Sequence, residues 1–273
     1  MDITLILSLL AFLLVIGFVA GIIAGLLGLG GGIVLVPAFY FAFTALGFAG
    51  GHVMQVCVAT SLATIVVTST RSLQAHHRKG AVDGGILRGW APGIVLGALL
   101  GVVVAAQVDS RVLTGIFGVL GVLVSIHMAL GYQPKRSEER LPQGAAKGAI
   151  SGLVGFLSVL MGIGGGTFGG PILTFSGLTV HRAVATAAGF GLLISVPSVI
   201  GFLATGHGVE GRPPYTFGFV NGPAFLITIL MTTISAPIGA NLAHRLPAAR
   251  LKRVFAVFLM LVAGRMLLKA FGV

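Results

Sequence analysis

The sequence predicts an all-α polytopic membrane protein of two inverted-topology repeats, with broken or re-entrant helices at Gly-rich motifs. Three observations predict it. First, the 273 residues are 56% hydrophobic and 8% charged, against about 25% charged in soluble domains, so a soluble surface cannot be covered. Second, apolar runs near the roughly 20 residues a helix needs to cross a bilayer recur from end to end, and none alternates with period two as barrel strands do. Helices then satisfy the backbone in lipid. Third, the two halves of the chain match each other. The same composition excludes a disordered chain, a secreted disulfide scaffold and an ordinary soluble enzyme.

The elements follow in order. An apolar run covers 3–28, preceded by Asp2 and by no Lys or Arg. It lacks the basic start and cleavage site of a secretory signal and is expected to remain as a membrane segment. Further runs cover 33–49, 53–70, 86–106 and 113–131. A polar stretch holds Lys135, Arg136, Glu138, Glu139 and Arg140. Apolar segments return at 147–162, 167–179, 182–205, 217–243 and 253–272. Trp90 reads as an interfacial anchor.

Gly28-Leu29-Gly30-Gly31-Gly32 corresponds to Gly162-Ile163-Gly164-Gly165-Gly166, and Pro37 matches Pro171 in the same register. Val58-Ala59-Thr60 corresponds to Val184-Ala185-Thr186, and Gly97, Gly101 and Ala105 to Ser235, Gly239 and Ala243. The organisation is therefore a membrane repeat over 1–131, a linker over 132–146 and a second repeat over 147–273.

Charge orients the repeats. The loop 71–88 carries Arg71, Arg78, Lys79 and Arg88; the linker region carries Lys135, Arg136, Arg140 and Lys147; and 244–253 carries Arg245, Arg250, Lys252 and Arg253. These twelve of the 17 basic residues place all three loops in the cytoplasm by the positive-inside rule. Both termini are then expected outside, in an inner membrane. One repeat starts outside and the other inside, an inversion typical of secondary transporters. The net charge of +11 thus reflects topology rather than nucleic-acid binding.

The paired G-x-G-G-G motifs, each followed five residues later by proline (Gly21 to Pro37 and Gly155 to Pro171), resemble the TauE/SafE family of sulfite exporters. The chain's length, two-repeat layout and basic central loop fit as well. The resemblance implies movement of sulfite, of sulfonates such as sulfoacetate, or of related sulfur compounds across the inner membrane, with export as the direction.

Several residues could carry that chemistry. Consecutive glycines interrupt a helix, and non-helical backbone at membrane depth persists where it is buried in protein or lines a cavity. Segments 147–162 and 167–179 are too short to span, so they form either a hairpin or a broken helix. Gly30, Gly31, Gly32, Gly164, Gly165 and Gly166 could offer bare N–H groups to an anion, or could serve only close packing. Gly164 to Gly169 also matches G-x-G-x-x-G, but a dinucleotide site needs a preceding strand. Gly17, Gly21 and Gly25, and Gly93, Gly97 and Gly101, form small-residue faces for packing.

Thr60, Ser61, Thr64 and Thr186 place hydroxyls inside apolar segments. They could donate to a sulfur oxyanion or to their own helix carbonyls. His52, Gln55, His181 and Arg182 lie near the Val-Ala-Thr motifs, and Arg182 has the planar fork that suits two oxygens. His127 stands inside a span as a coupling candidate. No carboxylate lies deep in a segment, which disfavours a carboxylate relay; a proton or sodium could still couple, sodium through carbonyls and hydroxyls at broken helices.

Cys57 is the one cysteine, so neither an internal disulfide nor a cysteine metal site is expected. No catalytic constellation, P-loop, metal spacing or cofactor motif is expected. The reading is a secondary transporter of a small sulfur-containing anion working by alternating access, with an anion channel or a carrier of another small organic anion as rivals. Its partners are the small anionic substrate and the lipid bilayer; a homodimer stays open, and no nucleic acid is expected.

Overall fold

The computed structural model describes residues 3–27, 31–48, 50–130, 140–243 and 248–272. Ten helices follow in order among them: α1 (Ile3–Leu27), α2 (Gly32–Ala45), α3 (Val53–Arg78), α4 (Gly84–Gln107), α5 (Ser110–Leu130), α6 (Gly144–Met161), α7 (Gly166–Phe175), α8 (Val180–Thr205), α9 (Gly222–Ala243) and α10 (Ala248–Ala270). Six of them (α3, α4, α5, α6, α8 and α9) are long and apolar enough to cross a membrane. The protein is an all-α polytopic membrane protein.

Most of the expected segments become helices with shifted ends. α3 runs beyond residue 70 to Arg78, where His76, His77 and Arg78 occupy its last turn and complement the negative end of the helix dipole. The run expected from 217 begins as a helix only at Gly222. Before it, Thr216–Phe217 pairs antiparallel with Val220–Asn221, and Arg212 donates to the carbonyls of Gly206 and Gly218, closing the loop. Of the linker, 132–139 lies outside the described residues, and α6 already starts at Gly144, which makes the segment expected to be too short to span one that is long and apolar enough to cross.

Helix packing follows the small residues. A Cβ on Gly17 or Gly21 of α1 would run into Met231, Thr232 and Ser235 of α9. On α4, a Cβ on Gly93, Gly97 or Gly101 would meet Ser151, Gly152 and Val159 of α6. These faces let backbones approach closely, as small-residue faces do in lipid. α5 packs on α10 through Gly115, Gly118 and Gly121 against Ala270, Leu267 and Ala263. α3 is buried on every face from Val53 to Ile65 and packs along α8, where Gly191 fits over Ser69 and Gly189 over Leu73.

These contacts give directions. Residue numbers climb together along α1 and α9, and along α4 and α6; they run oppositely along α5 and α10, and along α3 and α8. α4 doubles back after α3 across 79–83, so α8, α4 and α6 all run the same way. α7 must therefore return the chain between α6 and α8, which makes α6–α7 a helical hairpin rather than a broken span.

Trp90 is 2% exposed and stacks on Phe190 of α8, with ring centroids 5.5 Å apart. It fills the core between α4 and α8 instead of anchoring at an interface, because its helix turns that face inward.

Candidate functional site

The second glycine break is built from the end of α6 inward. Gly162 caps α6 with φ 63, a left-handed conformation that suits glycine. Its N–H and that of Ile163 bond back to Val159 and Ser158 carbonyls, closing the helix end as αL caps do. The Gly162 carbonyl accepts from Ser61 Oγ of α3 at 2.7 Å. In the first break Gly31 caps α2 with φ 75, and Gly30 lies outside the described residues. A Cβ on Gly32 would meet the Gly162 carbonyl at 2.6 Å and Ile163 Cα at 3.0 Å. The two breaks therefore touch one another, across the junction of the two halves.

Gly165 serves packing as well. A Cβ there would overlap Phe190 and approach the Ala187 carbonyl at 3.0 Å. Ser61 is likewise spent on structure. Ser61→Ala should leave the buried Gly162 carbonyl without a donor and cost about 1–3 kcal/mol; thermal unfolding of the purified protein measures it.

Thr60 and Thr186 make equivalent bonds. Thr60 Oγ1 accepts the N–H of Asn221 at 2.9 Å, and Thr186 Oγ1 accepts the N–H of Asp83 at 3.0 Å. Each acceptor belongs to one half and each donor to the other. Asp83 and Asn221 are themselves counterparts, since both cap the helix that follows. Asp83 Oδ1 accepts from Ile86 N and Asn221 Oδ1 from Ala224 N, as good N-caps do. The sequence reading missed this pair. The register that carries Gly97 onto Ser235 also carries Asp83 onto Asn221 and was the signal that could have found it.

Arg182 donates from Nη2 to Asp83 Oδ2 at 2.8 Å, with the two side chains 41% and 23% exposed. Its fork engages a carboxylate of the other half. The Ile86 N–H, and after it the Arg182 guanidinium, hold the Asp83 carboxyl below its ordinary value, with burial opposing them. A depressed carboxylate contributes stability above its unfolded value, near pH 4, and loses it as pH falls through the lower folded value. Asp83→Asn keeps a good cap and removes the pair. It should cost at most about 1 kcal/mol at pH 7, and the gap to the wild type should close as pH drops below about 4. Unfolding midpoints of both proteins across pH 3–7 measure this.

The other candidates spread out. His181 is exposed at the start of α8. Gln55 donates to the carbonyls of Ala105 and Val108 and so ties down the end of α4. His52 precedes α3 with its ring 5.7 Å from Phe219, and its buried Nδ1 has no hydrogen-bond partner among the described residues. Thr64 bonds the Ser61 carbonyl of its own helix. His127 lies in the last turn of α5, half-buried against Phe175. Among the described residues no three His, Cys, Asp or Glu side chains gather to hold a metal.

Known proteins are similar to this chain in sequence. Residues 13–266 match the family described as Sulfite exporter TauE/SafE. A probable membrane transporter protein of Haemophilus influenzae is 31% identical over 258 residues, covering 94% of this chain and 97% of the relative. Another, from Methanocaldococcus jannaschii, is 29% identical over 90% of this chain and 91% of the relative. A third, YunE of Bacillus subtilis, is 29% identical over 71% of this chain and 78% of the relative. With a fold of apolar helices and a match over nearly its whole length, the chain belongs to the TauE/SafE family and is a multi-pass membrane transporter.

Proposed function

We propose that the protein is a secondary transporter that exports a small sulfur-containing anion, sulfite or a sulfonate, across the inner membrane by alternating access. The observation that carries this reading is the contact between the two glycine breaks, Gly32 against Gly162 and Ile163; α3 and α8, and α5 and α10, which two inverted repeats would make equivalent, pack in opposite directions. Inverted repeats that meet at interrupted helices suit a site between them, exposed to either side as one repeat rocks on the other. Sulfur and export rest on the family's description.

In this reading both termini face outward and the segments 71–88, 132–147 and 244–252, which include helix ends as well as loops, face the cytoplasm. Labelling from outside at a cysteine introduced at position 136 should fail in intact cells, and ready labelling there would invert the topology. The Asp83–Arg182 pair then lies at the cytoplasmic end and joins the two repeats. The protein's own groups are expected to bind substrate without a cofactor, with a proton or sodium ion as the coupling partner.

Uptake into proteoliposomes tests the proposal with sulfite, methanesulfonate and acetate, with and without proton and sodium gradients. A secondary transporter should saturate and show counterflow of labelled substrate. Flux without saturation or counterflow would make the protein an anion channel, and preference for acetate would move the substrate out of the sulfur class.

A further inference from the structure

We propose that the anion is held at one of the two breaks only, by the first turn of α7 and the hydroxyl of Thr167, in a hollow alongside Gly170. The inference rests on the transporter reading above and names the donors of its site.

Three observations meet there. The first is backbone. In α6–α7 the first bond accepted after the break is Gly169 N–H to Gly165 C=O at 2.8 Å. The N–H groups of Gly164, Gly165, Gly166 and Thr167 have no acceptor among the described residues. Such groups at the start of a helix carry its positive dipole end.

The second is Thr167 itself. It is 6% exposed, and its Oγ1 has no hydrogen-bond partner among the described residues. A buried hydroxyl without a partner is costly, and most threonines in helices here bond a carbonyl three or four residues back, as Thr174 does to Gly170. Thr167 does not have that outlet, because the residues before it belong to the break.

The third is space. Gly170 is buried, yet a Cβ built on it meets no atom of the described residues within 4 Å. Gly170 stands three residues after Thr167 and so shares its helix face. On the neighbouring face a Cβ at Gly165 or Gly169 would run into Phe190, so α8 closes that side, while no described atom fills the space beside Gly170.

The two breaks differ in this respect. The register that carries Pro37 onto Pro171 places Ile33 opposite Thr167, so the first break has an apolar side chain where the second has a donor. The donors that the described residues offer at this turn, the backbone N–H groups and the Thr167 hydroxyl, are neutral. Neutral donors and a partial dipole charge suit a single negative charge better than two. The ligand class is therefore a small monoanion with several oxygens on one centre, of which a sulfonate or hydrogen sulfite is an example.

Binding of methanesulfonate to the purified full-length protein, read by titration calorimetry, and its uptake into proteoliposomes test the assignment. Thr167→Val should weaken binding about tenfold or more, the usual loss for a hydrogen bond to a charged group, and Thr167→Ser should restore it to within a few-fold. Gly170→Leu should abolish binding while the unfolding midpoint holds or rises, since the side chain enters open space and glycine is a poor helix former. Wild-type affinity in both Thr167→Val and Gly170→Leu would overturn the subsite and leave the transporter reading standing. A wild-type protein that neither binds nor moves methanesulfonate, sulfite or acetate would remove the transporter reading, and the subsite with it.

Discussion

Gly97→Leu is expected to drive α4 away from α6 and to leave little stable protein. A Cβ at Gly97 overlaps the carbonyl of Gly152, and in return a Cβ at Gly155 would overlap the carbonyl of Ile94. Both atoms met are backbone, so no rotamer change relieves the contact and the helices must part. Overpacking in a well-filled core costs about 1–3 kcal/mol, occasionally more, and this position belongs at the upper end. A loss of about 3 kcal/mol corresponds to a fall of roughly 6–12 °C in unfolding midpoint for a domain of this size. Gly148→Leu is the control on the facing helix, since a Cβ there meets no atom of the described residues within 4 Å. The comparison is made on detergent-purified protein by thermal unfolding. Equal midpoints for Gly97→Leu and Gly148→Leu would show that α4 and α6 do not pack through this face.

Gly162→Val should abolish transport and destabilise the α6–α7 hairpin. At φ 63 the left-handed conformation costs an ordinary L-residue about 1–2 kcal/mol, and a β-branched one more. The new Cβ would also meet Val36 Cγ2 at 2.7 Å and Val58 Cα at 3.0 Å. The first contact is a side chain that can be trimmed; the second is the backbone of α3. Gly162→Ala should therefore recover part of its stability when combined with Val36→Ala, and Gly162→Val should not. Proteoliposome uptake and unfolding midpoints read the two effects separately. Normal uptake by Gly162→Val would mean that this turn does not need the glycine conformation.

Thr60 and Thr186 illustrate how far sequence alone reaches into the site. Their correspondence is visible in the two Val-Ala-Thr motifs, and the structure gives them equivalent roles. Those roles could not be seen, because the donors are the N–H groups of Asn221 and Asp83, 161 and 103 residues away in the chain. Arg182 is a similar case. Its fork was readable as an oxygen binder, but the oxygen it meets belongs to Asp83. Thr167 carried no signal at all, since one threonine after a glycine run looks like any other until its missing partner is known.

What the sequence determined by itself is everything set by the solvent and by local backbone. Lipid demands apolar helices, so composition and run length place the spans. Glycine strings interrupt helices wherever they fall, so both breaks were legible. Rows such as Gly93, Gly97 and Gly101 mark a face for close packing, because spacing by four is a property of one helix. What the tertiary structure decided is which surfaces meet. That α1 lies along α9, that α6 and α7 fold into a hairpin, that Trp90 turns inward to Phe190 and that Gly32 rests on Gly162 all depend on residues distant in the chain. Periodicity along one helix shows which face is packed and carries no information about the helix that packs there, because the identity of that partner is fixed by the shape both faces make together.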